Sequence, residues 1–162
     1  EFVNGIFSRI SPDLSEGENC FRSMGVRPSG SAYTPPYPDK IPGEMDTFFS
    51  ELGDLLSNDC LSCILESAGY AHLNLVRIHP YEDGNGRTSR AVQNIILSSR
   101  GIPVPVIYAG ERFDYYDKLE GAIRGFRERG SGKLGDARYS EGEKRFFDFI
   151  AGRVSASLDR FI

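Results

Sequence analysis

The twelve residues His79-Pro80-Tyr81-Glu82-Asp83-Gly84-Asn85-Gly86-Arg87-Thr88-Ser89-Arg90 gather a base, a carboxylate, two glycines, an amide and two guanidinium groups. Gly84-Asn85-Gly86 reads as a turn, because glycine reaches positive-φ backbone that other residues avoid. The run Arg87 to Leu97 that follows has helical apolar spacing. A glycine turn feeding a helix leaves backbone N–H groups without partners at the positive end of the helix dipole, which suits an anion. Arg87 and Arg90 fall on one face of the first helical turn. Two guanidinium forks beside such a nest fit a polyphosphate better than a single carboxylate. Asp83, just ahead of the turn, would be repelled by phosphate unless a cation lay between them, so it reads as a Mg²⁺ ligand. His79 titrates near neutrality and suits the removal of a proton from an incoming hydroxyl. Singly, each of these is an ordinary loop, cap or solvated face. In this order they describe a divalent-metal, nucleotide-phosphate site with a general base.

The same stretch resembles the Fic signature, His-x-Phe-x-(Asp/Glu)-Gly-Asn-Gly-Arg-x-x-Arg, with Tyr81 in place of the usual Phe. Tyr81 keeps the inward packing of that aromatic if its hydroxyl finds a partner. The resemblance implies transfer of AMP from ATP to a Ser, Thr or Tyr hydroxyl of a target protein, releasing pyrophosphate. It implies His79 as the base, Asp83 as the Mg²⁺ ligand, and Asn85 with the backbone at Gly84 and Gly86 on the α- and β-phosphates. Arg87 would meet the β- or γ-phosphate and Arg90 the γ-phosphate. A Tyr-Tyr pair near the adenine is common in the family, which assigns Tyr115 and Tyr116 to that role. For one of the two, core packing is the better reading. UMP in place of AMP stays open, since nothing in the sequence fixes the base. So does a nucleotide-sensing or partner-binding domain without turnover, although such a domain needs neither His79 nor Asp83.

The elements that must position this stretch are helical. With 162 residues, 40% hydrophobic and 26% charged, the chain reads as one domain with a real core. A net charge of −4 argues against general nucleic-acid binding. No apolar run approaches a membrane span and no signal-peptide pattern is visible. Three cysteines supply no disulfide framework, which favours a reducing compartment, hence the cytoplasm, with delivery into a host cell left open. Cys60-Leu61-Ser62-Cys63 reads as two small buried thiols on one helix face.

Residues 1–19 read as the truncated N-terminal part of a single Fic domain spanning 1–162, with Phe2 to Phe7 as the tail of a helix. Residues 20–36 hold two extended runs around Pro28-Ser29-Gly30, a hairpin pattern. In the resemblance this is the flap, which docks the target by strand addition, with Val26 on the target backbone. Apolar residues at 45, 48, 49, 52, 55 and 56 give an amphipathic helix over 43–56, and a second, central helix spans about 58–78. His72 on that helix reads as packing or surface. Another helix starts at Glu111, residues 127–135 read as a loop, and Ser140-Glu141 opens a last helix with Phe146, Phe147, Phe149, Ile150, Val154 and Leu158 as its stripe. The expected fold is therefore all-α, the Fic fold: a helical bundle around the motif loop and helix (79–90), with one small β-hairpin flap.

Many Fic proteins carry an inhibitory helix with (Ser/Thr)-x-x-x-Glu-(Gly/Asn). Thr47…Glu51 is followed here by Leu52, Ser62…Glu66 by Ser67, and Ser155…Asp159 has the shorter acid. The expectation is that such a helix lies upstream or that a separate partner, such as an antitoxin, supplies it. A homo-oligomer also stays open.

Overall fold

Leu61–Ile78, the helix that ends on His79, is buried almost all round from Ser67 onward. Such a helix can only be the centre of a bundle. The computed structural model describes residues 2–14, 21–28, 32–130 and 138–159. Among them six α-helices follow in order: α1 Phe2–Ile10, α2 Ile41–Leu56, α3 Leu61–Ile78, α4 Asn85–Ser98, α5 Arg112–Arg129 and α6 Glu141–Leu158. The last runs from a capping box in which Ser140 accepts from the Glu143 N–H and the Glu143 carboxylate accepts from the Ser140 N–H.

Two apolar clusters flank α3. One joins Val3 and Phe7 of α1, Ile41, Met45 and Phe48 of α2, Ala71, Leu75 and Ile78 of α3, and Val92 and Leu97 of α4. The other joins Leu73 of α3 to Leu119 and Ile123 of α5, Phe146 and Ile150 of α6, and Tyr33. α3 thus contributes to both.

The expected helix over 43–56 begins two residues earlier, and α5 continues through Arg129 where a loop was expected. Its last turn is held by burial: Arg129 makes a two-pronged ion pair with the buried Glu143 at 2.8 and 3.0 Å. In the last helix, Phe146, Ile150 and Val154 are buried, whereas Leu158 is 45% exposed.

Two expectations need correction. Among the described residues of 20–36 there is no strand, so the expected β-hairpin is not seen there; residues 29–31, its expected turn, lie outside the described residues. The two arms spend their polar groups on the helices and the motif loop instead. Arg22 N–H donates to the Pro80 carbonyl at 2.8 Å, Ala32 N–H to Glu120 at 3.2 Å, and the Tyr33 hydroxyl to the Arg77 carbonyl at 2.5 Å. Pro28, Pro35 and Pro36 have no N–H to give a ladder. The second correction concerns Cys60 and Cys63, which are neither buried nor thiols: they are joined by a disulfide, with Cys60 exposed and Cys63 half-buried. α3 starts at Leu61, so the pair spans its N-cap and first turn, where Cys60 Sγ accepts from the Cys63 N–H at 3.2 Å.

α5 and α6 approach backbone to backbone. A Cβ at Gly142 would lie 2.3 Å from the Gly121 carbonyl oxygen, which cannot yield as a side chain could. Gly142→Ala is expected to destabilise by about 1–3 kcal/mol in thermal unfolding. Gly152→Ala, on the same helix with nothing within 4 Å, should be neutral or stabilise by up to about 1 kcal/mol.

Candidate active site

His79 stands at the C-cap of α3 with φ 52 and ψ 56, the left-handed region. It is the one non-glycine residue with positive φ among the described residues. Histidine tolerates this region better than most side chains, yet holding it there costs on the order of 1 kcal/mol, so surrounding contacts must fix it. They do. His79 N–H donates to the Leu75 carbonyl at 3.1 Å, and its carbonyl accepts from Arg22 Nε at 2.7 Å. The ring Nδ1 lies 3.2 Å from the Val76 carbonyl, which can only accept, so Nδ1 carries the proton and Nε2 is the basic nitrogen. Nε2 has no partner among the described residues. Burial lowers the imidazole pKa below its ordinary value; the Val76 carbonyl draws it up, the Arg22 cation lowers it further, and Asp83 raises it. The ring is therefore neutral at pH 7 and able to accept a proton.

The loop that follows is locked from within. Tyr81 N–H donates to Asn85 Oδ1 at 2.9 Å and Asn85 Nδ2 returns a bond to the Tyr81 carbonyl at 2.8 Å. Asn85 is buried, so its side chain is committed to the loop and its outward group is its backbone N–H. Tyr81 packs inward as expected, stacked on Phe7 with ring centroids 3.6 Å apart, and its hydroxyl donates to Asn4 Oδ1 at 2.9 Å. Gly84 is the N-cap of α4 with φ 79 and ψ 0. A Cβ there would come within 2.7 Å of Ser11 Oγ, so conformation and space both call for glycine. The first intrahelical bond is Thr88 N–H to the Gly84 carbonyl at 2.9 Å. Ahead of it, the N–H groups of Asn85, Gly86 and Arg87 have no acceptor within the helix.

Arg87 reaches back over this end, to Asp83 at 3.4 Å, Ser11 Oγ at 3.3 Å and the Ile10 carbonyl at 3.5 Å. Asp83 is 78% exposed. A single open carboxylate beside an anion nest fits a Mg²⁺ that takes its other ligands from phosphate oxygens and water. Among the described residues, no group of three acidic, His or Cys side chains forms an all-protein cage. Arg90 is exposed and lines a cavity of about 290 Å³ with Gln93, Arg112, Tyr115 and Tyr116. A neighbouring cleft of about 530 Å³ runs between Pro28 and Tyr33, Val76 of α3, and Phe113 and Tyr116 of α5.

The structure thus brings His79, Asp83, Gly84, Asn85, Gly86, Arg87 and Arg90 onto one loop and helix end. Tyr115 and Tyr116 part company. Tyr115 is 5% exposed with its hydroxyl 2.9 Å from His72 Nε2, whereas Tyr116 is 47% exposed and borders both hollows. Val26 is half-buried on the first flap arm.

Arg22 was legible only as part of the flap, and its role in the site was not. It is 3% exposed, and besides the His79 carbonyl it donates to the carbonyls of Met24 at 2.9 Å and Pro36 at 2.5 Å. An arginine directly after Phe21 at the start of the flap stretch was the available signal. Ser11 carried none.

A family model for the Fic/DOC family matches residues 3–97. The chain is 40% identical over 130 residues to a protein of Aedes aegypti described as "Protein adenylyltransferase Fic", covering 78% of this chain and 25% of that one. It is 40% identical over 96 residues to a protein of the same description from Nematostella vectensis, covering 59% and 22%. The chain thus spans about a quarter of the length of these relatives. A Fic domain containing signaling protein from Bacteroides thetaiotaomicron has a similar fold, with a TM-score of 0.70 at 19% identity, covering 98% of this chain and 67% of that one. No described helix is long and apolar enough to cross a membrane.

Proposed function

The chain belongs to the Fic/DOC family, and on that footing we propose that it is a protein adenylyltransferase, moving AMP from ATP to a Ser, Thr or Tyr hydroxyl of a target protein. The observation that carries this reading is the neutral His79 with Nε2 unengaged, one loop away from the N–H groups at the head of α4. The phosphates of ATP lie along that head, met by the backbone of Gly84, Asn85 and Gly86 and by Arg87 and Arg90. His79 Nε2 takes the proton of the target hydroxyl as its oxygen bonds to the α-phosphorus. The bond from that phosphorus to the bridging oxygen breaks, and pyrophosphate leaves. The reaction needs alignment and charge neutralisation more than a covalent intermediate, and the site supplies both. Asp83 would hold Mg²⁺, which when bound neutralises the departing charge. The adenine sits beside the half-exposed Tyr116, and the target strand runs along the flap past Val26.

The test is incubation with Mg²⁺ and ATP carrying label on either the α- or the γ-phosphate, read as label retained on protein and as intact mass. Retention of α-label with a mass gain of one AMP supports the reading. Retention of γ-label alone would point to phosphate transfer, and binding without retention to a sensing domain.

A further inference from the structure

His72 is fully buried two turns before His79 on α3, and nothing in the reaction above uses it. Its Nδ1 lies 2.6 Å from Gln93 Oε1 on α4, and its Nε2 lies 2.9 Å from the Tyr115 hydroxyl on α5. Gln93 turns its amide nitrogen to Asn94 Oδ1 at 3.3 Å, so the oxygen faces His72. That oxygen can only accept, and the His72 proton is therefore on Nδ1. Nε2 is then the acceptor, and the Tyr115 hydroxyl must donate to it. The lone pairs of that hydroxyl remain, and Arg90, which lines the same cavity as Gln93 and Tyr115, is the cation placed to meet them. The chain of bonds crosses three helices and ends on a hydroxyl that shares a cavity with the last arginine of the motif.

We propose that Gln93, His72 and Tyr115 are positioning residues that aim the Arg90 guanidinium at the terminal phosphate of a bound nucleoside triphosphate. This rests on the nucleotide reading above, because only there does Arg90 meet a phosphate. Arg90 is otherwise a long exposed side chain on the open face of α4, with many rotamers and one useful position. A tyrosine oxygen held from behind selects that position before the ligand arrives. Burial holds the His72 pKa down to about 4. The ring is neutral at physiological pH and the direction of the bonds does not reverse. A charged ring would donate on both sides and turn the tyrosine proton toward Arg90, against its cation. Tyr115 is thereby assigned to the phosphate end of the ligand and not to its base.

The two assignments differ in a measurable way. In a His79→Ala background, where ligand binds without turnover, the affinities of Mg²⁺-ATP and Mg²⁺-ADP are measured by calorimetry. Tyr115→Phe is expected to weaken ATP roughly tenfold and ADP by no more than about twofold, because only ATP carries the terminal phosphate. Arg90→Ala should remove the same preference, and Tyr115→Phe added to it should change nothing further. Equal weakening of both nucleotides, or a full additional loss in the double variant, would overturn the relay. If the background protein binds neither nucleotide, the nucleotide reading itself falls. If both bind and Arg90→Ala alone removes the preference, only the relay fails. Gln93→Leu, which releases the His72 tautomer without touching α5, should repeat the Tyr115→Phe pattern and stands in should that variant not fold.

Discussion

Replacing His79 by alanine is expected to lower AMP transfer by roughly a hundred- to ten-thousand-fold while leaving nucleotide affinity within about twofold. The imidazole contributes one thing that nothing nearby replaces, a neutral nitrogen at Nε2 with its other nitrogen tied to the Val76 carbonyl. The phosphate contacts belong to the next loop and the head of α4, so binding and chemistry separate in this variant. His79→Asn is the companion. Asparagine tolerates left-handed backbone, so it preserves φ 52 without restoring the base. A melting temperature near the wild type with activity still lost would assign the loss to the missing base and not to the turn. The pH dependence follows from the depressed pKa. The active form is the neutral ring, so activity is present at pH 7 and falls as pH drops through a midpoint below the ordinary histidine value of about 6.5. An acid limb centred above that value would contradict the assignment.

Arg22→Met is expected to cost about 2–4 kcal/mol of stability and at least tenfold in turnover. One buried guanidinium serves the carbonyls of His79, Met24 and Pro36, and methionine leaves all three without that donor. Met24 and Pro36 belong to the two flap arms and His79 to the site, so one side chain holds the base against the surface that would present the target. Arg22→Lys separates the two contributions. Lysine keeps the cation but not the planar fork, so it cannot reach three carbonyls at once. Both variants should slow turnover. The acid limb of the pH profile should move upward in Arg22→Met, where the cation that depresses the His79 pKa is gone, and stay near the wild type in Arg22→Lys. Identical shifts in both variants, or in neither, would reduce Arg22 to a packing residue.

What the sequence disclosed was local chemistry. Residues 79–90 are contiguous, so their types and spacing describe a turn, a helix head and a facing pair of arginines before any fold is known. Helix existence was equally readable from apolar spacing. What it did not disclose depends on partners distant in sequence. The flap arms read as a hairpin because each is extended, yet an arm's hydrogen bonds are decided by what lies beneath it, here α3 and α5. Cys60 and Cys63 fell on one face of a helix-like run, but the helix starts at Leu61, which leaves Cys60 exposed as its N-cap and Cys63 half-buried in its first turn. His72 read as packing or surface, and burial bears the packing out. Its bonds to residues 93 and 115 could not be seen, because α4 and α5 bring them there only in the folded chain.

α3 lends side chains to both apolar clusters and ends on the base. Neither half of the molecule can therefore open on its own: loosening α2 and α4, or α5 and α6, strips one side of the same helix. Amide hydrogens in the middle of α3 are expected to exchange only on global unfolding, with the helices packed against it melting together. A partly melted form that keeps a working base has no place on this landscape, and substitutions anywhere in either core reach the chemistry through the population of unfolded chain.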